Sequence, residues 1–327
     1  AMPISQAYQR CPNAVFLPGR MRHYSEISGQ IFSILHDFTP DVEPVSVDEA
    51  FMDITGTEKL HGCPLEAGRK IKQRIKNELN LTASIGIAPI KMAAKIASDL
   101  CKPDGLLEVK RENILNFLWP LDTGKLWGVG PKTKEFLNKR NIFTIGDLAR
   151  IDKENLYEAL GENGIHLYNL AHGIDVREVE ESDEAKSVSH EHTFDEDTDD
   201  KKVLYETLLM LSEKVSRRLR LDGFKGRTIT VKIRLKGFKT YTRASTLFEP
   251  TNFVDDIFAK TKELFEGAPV SGAKVRLLGV RVSGFKELYV QDSLFEDKDK
   301  NKKERVHKAV DLIKNKFGEK SIHRATH

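Results

Sequence analysis

The hydrophobic positions along this chain change period several times, and each change marks an element. Between residues 22 and 109, Ile27, Ile31, Ile34 and Leu35 recur at helical spacing, and strand-like runs follow at 43–47 and 50–54. An amphipathic helix carrying Leu65, Ile71, Ile75 and Leu79, a strand over 83–88, a helix over 90–100 and a strand over 106–109 complete a mixed α/β layer. Residues 111 to about 173 read as helical throughout, broken at the turns Gly128-Val129-Gly130-Pro131 and Gly161-Glu162-Asn163-Gly164. The stretch that follows, to residue 186, is acidic and poor in large apolar residues, and it reads as a linker.

A cleaner pattern occupies 187–286. Strand, helix, strand, strand, helix and strand succeed one another, the βαββαβ order of a split βαβ domain. Because strand side chains alternate, Val231, Ile233 and Leu235 point to one face of the third element, and Thr230, Lys232, Arg234 and Lys236 to the other. One face of this sheet is expected to be apolar and the other basic. In the tail, 287–327, a charged stretch precedes one more amphipathic helix with Val306, Val310, Ile313 and Phe317 as its apolar stripe.

Composition narrows the class. At 327 residues, 39% hydrophobic and 31% charged, the chain is long enough for several domains with their own cores. The sequence has no apolar run of membrane-spanning length and no secretory pattern, so a cytosolic protein without a membrane partner is expected. Cys11, Cys63 and Cys101 are widely spaced, without CxxC, and suggest neither a disulfide framework nor a zinc site; reduced thiols, a type often buried, are expected. His307, His323 and His327 lack metal-ligand spacing and are expected at the surface.

Net charge is only +3, but its distribution is uneven. Between Lys214 and Arg243 stand eleven Lys or Arg against one acid, Asp222, whereas the preceding stretch from Asp175 to Asp200 is strongly acidic. Such blocks suit either a phosphate-binding face or a solvated basic helix and strand pair.

Local chemistry concentrates at Val45-Ser46-Val47-Asp48-Glu49-Ala50-Phe51-Met52-Asp53-Ile54. Two short β-rich runs flank adjacent acids, which places both carboxylates at the apex of a hairpin. Their repulsion needs an offset, and hard oxygen donors suit Mg²⁺, which takes a few carboxylates together with substrate phosphates. By itself such a pair is usually just a solvated turn. Leu126-Trp127-Gly128-Val129-Gly130-Pro131-Lys132-Thr133 sets a Gly-x-Gly turn before a helix with Pro first, which either exposes amide donors to a phosphate or joins two packed helices. Gly161 to Gly164 offers a weaker second copy.

The run Ser46-Val47-Asp48-Glu49-Ala50-Phe51-Met52-Asp53 resembles the second palm motif of Y-family DNA polymerases of the DinB type. The segment Ala83-Ser84-Ile85-Gly86-Ile87-Ala88, through Lys91 and Ala94-Lys95-Ile96-Ala97-Ser98-Asp99, to Lys102-Pro103-Asp104-Gly105 is similar to the family's next palm block. The resemblance covers essentially the whole chain. It implies an α/β multi-domain fold: a partial palm over 22–110, a small all-α helix-hairpin-helix thumb over 111–174, a linker over 175–186 and an α+β little finger over 187–286. Residues 1–21 would be a remnant of the fingers and palm crossing, and 287–327 a tail.

By the same resemblance Asp48 and Glu49 are catalytic metal ligands of a two-Mg²⁺ nucleotidyl-transfer site, and Lys102 reaches the triphosphate of a dNTP; its bland alternative is an ordinary turn lysine. Lys95 would face the same groove or simply solvent. Lys95, Gly128, Gly130, Lys132, Lys232, Arg234, Lys236 and Arg243 are the expected contacts to primer-template DNA. Gln291-Asp292-Ser293-Leu294-Phe295 resembles a sliding-clamp-binding peptide, with Gln291, Leu294 and Phe295 as its contacts. The implied setting is lesion-bypass synthesis in the damage response by a cytoplasmic, nucleoid-associated monomer. One feature departs from the family: no segment like Asp-Met-Asp-Ala-Phe-Phe, which carries a further metal-binding aspartate and the steric gate, occurs here. The chain therefore reads as starting inside the second palm crossing, and is expected to bind primer-template weakly and not to extend primers. A non-catalytic DNA-binding fragment or regulator of the same architecture is the alternative. An unrelated Mg²⁺ phosphotransferase is disfavoured, because the sequence contains no P-loop or kinase glycine loop.

Overall fold

The computed structural model describes residues 2–180, 185–270, 272–285, 298–318 and 321–322, in two compact units, 1–183 and 184–327.

The first unit begins with α1 (Ile4–Arg10), which has no buried residue, and α2 (Met21–His36), which buries Ile34 and Leu35. Then come β1 (Val42–Pro44), β2 (Ala50–Met52), the short α3 (Glu58–His61) and α4 (Pro64–Leu79). α4 starts at a proline, with the Cys63 amide donating to Glu66, and ends at Asn80 in the left-handed conformation. Next are β3 (Ile85–Ile87), α5 (Lys91–Leu100) and β4 (Leu106–Glu108). The α/β layer anticipated from periodicity is present, but as two separate two-stranded sheets: β1 and β2 antiparallel, β3 and β4 parallel with α5 as crossover. Ile34, Leu35, Phe38, Val42, Ile71 and Ile75 form the core under β1. The remaining helices, α6 (Ile114–Leu118), α7 (Pro131–Asn138), α8 (Ile145–Ala149), α9 (Lys153–Leu160) and α10 (Glu162–Ala171), close over a second core. That core includes Met92, Ile96 and Ala97 of α5, so one face of α5 is fixed by packing while the other is left for Lys91, Lys95 and Asp99.

The acidic stretch after α10 is not a free linker in its first half. Asp175, only 1% exposed, accepts hydrogen bonds from the Met92 amide (3.0 Å) and from Arg177 (2.7 Å twice). Lys91 donates to the Glu178 carbonyl, and the Glu180 amide donates to Glu43. Composition suggested a linker because the segment has few apolar anchors, yet ion pairs and backbone hydrogen bonds hold it.

The second unit contains β5 (Ser187–Thr198), α11 (Lys201–Leu221), β6 (Gly226–Leu235), β7 (Thr240–Thr251), α12 (Val254–Glu266), β8 (Val275–Phe285) and α13 (Lys298–Phe317). The sheet is antiparallel with order β5-β8-β6-β7, so each βαβ unit is split by a strand of the other. Val231, Ile233, Leu278, Val280 and Val282 pack against Leu204, Leu208, Leu211 and Val215 of α11. Full burial of each such side chain contributes roughly 1.5–3 kcal/mol.

α13 docks through its polar side. Arg220 donates to both oxygens of Asp311 (2.6 and 2.9 Å), Arg217 to Asn315 and Lys225 to Glu304. His307 is 7% exposed and stacks on Phe253 at 5.5 Å, which corrects the surface placement expected of it; a spacing argument about ligands carries no information on packing. Val306, Ile313 and Phe317 of the anticipated stripe face outward. Replacing Asp311 with alanine strands the largely buried Arg220 charge, and α13 docking is expected to weaken by roughly 2 kcal/mol. Hydrogen exchange across α13 should then speed up while that of α11 stays slow; unchanged α13 protection would contradict the docking account.

Candidate active site

The Asp-Glu turn is built by the β1–β2 pairing. Val42 faces Met52, Glu43 faces Phe51 and Pro44 faces Ala50, and the amides of Val45 and Ser46 both donate to the Glu49 carbonyl. This closes a tight turn in which Asp48 is exposed and the Ser46 hydroxyl donates to its carboxylate at 2.6 Å. Glu49 is 37% exposed and is met by Lys95 Nζ of α5 at 2.6 Å. Lys95 also lies 3.4 Å from Asp99, one helical turn on, and Asp99 accepts a hydrogen bond from Lys102 at 2.6 Å. Glu49, Lys95, Asp99 and Lys102 therefore form one chain of alternating charge.

Partial burial by itself would raise the Asp99 carboxyl, but the Lys102 hydrogen bond and the charges of Lys95 and Lys102 outweigh it and hold the group below its ordinary value. Lys102 is raised in turn, first by its bond to Asp99 and then by the charges of Asp99, Glu49 and Asp48.

What brings α5 close enough is Gly86 in β3. A Cβ there would land on the Ala94 carbonyl and the Ser98 amide and lie 2.9 Å from the Ala97 methyl, so strand and helix touch backbone to backbone. A second cluster braces the far end of α5. Lys91 bonds Glu43 at 2.5 Å and sits 4.9 Å over the Phe51 ring; Phe51 stacks on Trp127 at 5.8 Å, and Arg177 lies over Trp127. Asp99, Glu43, Asp175 and Arg177 were not singled out from sequence. The four-residue spacing of Lys91, Lys95 and Asp99 on one helix was the available signal for Asp99.

Asp175 gives this region an acid-sensitive joint. Burial would raise its carboxyl, but the Arg177 bonds and charge and the Met92 amide outweigh that and leave it below 3.8. A depressed folded value contributes stability above the ordinary value that is lost as pH falls through the folded one. Asp175→Asn is expected to lower the stability of this unit at neutral pH by about 2 kcal/mol and to flatten its acid unfolding below pH 4. Superimposable acid titrations of variant and parent would contradict it.

Among the residues expected to contact phosphates, Gly128 has φ +97° and Gly130 caps α7 with open space around it, while Pro131 opens the helix and Lys132 is exposed. The weaker copy serves packing instead: a Cβ on Gly164 would meet the Leu156 carbonyl, so the glycine permits close contact between α9 and α10. In the second unit Lys232 is bonded to Glu191 (2.8 and 3.0 Å) across Gly279, and Arg234 donates to the Thr240 hydroxyl. Lys236 is exposed just beyond β6.

Arg243 does not share their face. It pairs with buried Val231, and directly paired residues project to the same side, so it sits on the apolar face at the β7 edge. Arg281 of β8, opposite Thr230, takes its place on the outer face. Gln291, Leu294, Phe295, His323 and His327 lie outside the described residues. Cys11 and Cys63 are exposed rather than buried, and all three cysteines are free thiols. Among the described residues no group of three or more His, Cys, Asp or Glu side chains is arranged to hold a metal, and no helix is long and apolar enough to cross a membrane.

Comparison with known proteins gives these features a context. Residues 1–99 match the impB/mucB/samB family and residues 185–294 match the C-terminal domain of that family. The chain is 41% identical to DNA polymerase IV of Desulfatibacillum aliphaticivorans, over 98% of its own length and 82% of the relative's. It is 38% identical to DNA polymerase IV of Moorella thermoacetica, over 99% and 81%. A Y-family DNA polymerase chimera of Dbh and Dpo4 superposes with a TM-score of 0.78 at 27% identity, covering 87% of this chain and 82% of the chimera. The insertion ternary complex of Dbh DNA polymerase gives 0.56 at 25% identity, with 87% and 82% covered. The chain, with its carboxylate turn, Gly-x-Gly turn and split βαβ sheet, thus belongs to the impB/mucB/samB family, the DinB type of Y-family DNA polymerase.

Proposed function

We propose that this chain carries the nucleotidyl-transfer carboxylates and the DNA-holding surfaces of a lesion-bypass, template-directed DNA polymerase. The observation that carries this reading is the continuous charge chain from Glu49 through Lys95 and Asp99 to Lys102, which ties a carboxylate turn to a phosphate-seeking lysine. Asp48 and Glu49 fit Mg²⁺ chemically: both are hard oxygen donors on an exposed turn, and this ion needs few protein ligands when substrate phosphates and water complete its shell. Bound there in pairs, Mg²⁺ would lower the pKa of a primer 3′-hydroxyl and offset charge on the departing pyrophosphate.

This chain's residues do the rest. Asp48 and Glu49 anchor the ions on a turn fixed by the Val45 and Ser46 amides. Lys102, 57% exposed, supplies a point charge to the triphosphate of the incoming nucleotide. The α7 turn at Gly128 and Gly130, with Lys132, and the outer sheet face at Lys232, Arg234 and Lys236 hold the primer-template backbone without reading sequence. In this reading 22–110 is palm, 111–174 thumb and 187–286 little finger. Gln291, Leu294 and Phe295 would tether a monomer to a sliding clamp in the cytoplasm, close to the nucleoid.

A non-catalytic DNA-binding role is favoured by one observation, that the two carboxylates lack a third acidic partner among the described residues. Two ligands hold a shared two-ion site weakly. Primer extension separates the readings. With Mn²⁺, trace nucleotide addition that disappears on Asp48→Asn or Glu49→Gln is the expected result. Addition that survives both replacements removes these carboxylates from the chemistry, and robust addition by the parent chain shows that the pair suffices.

A further inference from the structure

We propose that Lys95 is an internal counter-ion that exchanges between Glu49 and Asp99, so that cation binding at the Asp48–Glu49 turn frees Lys102 for phosphate. The inference rests on the metal reading above and adds a coupling between its two halves. Lys95 Nζ is 2.6 Å from Glu49 and 3.4 Å from Asp99, so one ammonium, with three N–H donors, is already within reach of both carboxylates. Asp99 at the same time holds Lys102 at 2.6 Å.

In the arrangement seen here Glu49 is neutralised by Lys95, and Lys102 is neutralised by Asp99. A divalent cation on Glu49 takes over that carboxylate and repels the ammonium beside it. The nearest acid left to Lys95 is then Asp99, one turn along the same helix, a shift that needs only side-chain rotation. Asp99 shared between two ammoniums holds Lys102 less firmly, and Lys102 becomes available to an anion. Linkage makes the effect reciprocal: phosphate drawing Lys102 away leaves Asp99 to attract Lys95, which uncovers Glu49 for the cation. In this scheme Asp99 and Lys95 are positioning residues, because neither is required to touch the substrate.

The relay has a signature that simple surface electrostatics lacks. Lys95→Met removes the competitor, so Mn²⁺ affinity, read by EPR of free Mn²⁺, should rise about two- to fivefold, the scale of a part-exposed ion pair. Asp99→Asn removes the alternative acceptor, so Lys95 stays on Glu49 and Mn²⁺ affinity should fall by a similar factor. Decisively, Asp99→Asn should have little effect in the Lys95→Met background, whereas a plain loss of nearby negative charge would act equally in both. Lys95→Arg, which keeps the charge, should behave as the parent protein. The second readout is the rate at which an amine-specific reagent labels Lys102, followed by mass spectrometry. Mn²⁺ should accelerate labelling in the parent and not in Lys95→Met, and Asp99→Asn should label fast with or without Mn²⁺. Additive effects of Lys95→Met and Asp99→Asn, or Lys102 labelling indifferent to Mn²⁺ in the parent, overturn the relay while leaving the metal site intact. Mn²⁺ binding that persists in a combined Asp48→Asn, Glu49→Gln variant overturns the metal reading itself, and the relay with it.

Discussion

Gly86→Ala is expected to destabilise the first unit by about 3 kcal/mol or more, and Gly86→Val to prevent its folding. The added Cβ meets the Ala94 carbonyl and the Ser98 amide, and neither can swing aside as the tip of a side chain would. Relief requires α5 to move away from β3. The opposite face of α5 is locked, because Met92 and Ile96 are essentially inaccessible within the second core. Moving the helix therefore drives Met92 and Ile96 into a core that has no room for them, replacing one overlap with another, and tightly packed cores do not tolerate overpacking. The same movement carries Lys91, Lys95 and Asp99 away from Glu43 and Glu49. Urea unfolding followed separately in the two units gives the check: an earlier transition confined to residues 1–183 is expected. A Gly86→Ala protein as stable as its parent would mean that β3 and α5 do not meet as described.

Combined replacement of Lys232, Arg234 and Arg281 by alanine is expected to cost roughly 10- to 100-fold in primer-template affinity at low salt. It should also reduce the slope of log affinity against log salt by about 2 to 3, close to one unit per lost phosphate contact. These three side chains share the outer sheet face, amid the small residues Ser189, Thr228, Thr230, Ala244 and Ser283, so a phosphate backbone can approach closely. Glu191 opposes them, since its ion pair neutralises Lys232 in the free protein. Glu191→Gln should accordingly strengthen binding a little. Arg243→Ala is the internal control, because its side chain lies on the other face and its loss should leave the slope unchanged. If Arg243→Ala lowers the slope as much as the combined variant does, DNA does not lie on the outer face.

Several features are legible in the amino-acid sequence because they depend on near neighbours along the chain. Val231 and Ile233 alternate with Thr230 and Lys232, and the β6 they imply has its apolar side in the core. The first helix of the βαββαβ order is present as α11, starting where Asp200 accepts a hydrogen bond from the Lys202 amide. The carboxylate turn is legible for the same reason: a turn between two short strands is set within about ten residues.

Other features depend on partners far along the chain. Arg243 changes faces because strand register decides side, and register is settled by pairing with Val231 rather than by the residues beside Arg243. The segment after α10 becomes part of the first unit through Glu43 and Met92, 137 and 83 residues away. α13 turns its charged side inward because Arg220, 91 residues earlier, presents a guanidinium that only a carboxylate can satisfy when largely buried.

Sequence by itself determined the elements, the membership of the family and the presence of the Asp48–Glu49 turn, since periodicity and turn chemistry are local properties of the backbone. Only the tertiary structure decided what each charge faces. It placed Lys95 between Glu49 and Asp99, turned Arg243 away from Lys232 and brought Arg281 beside it. Ion pairing acts over a few ångströms of space, and only folding sets which residues are that close.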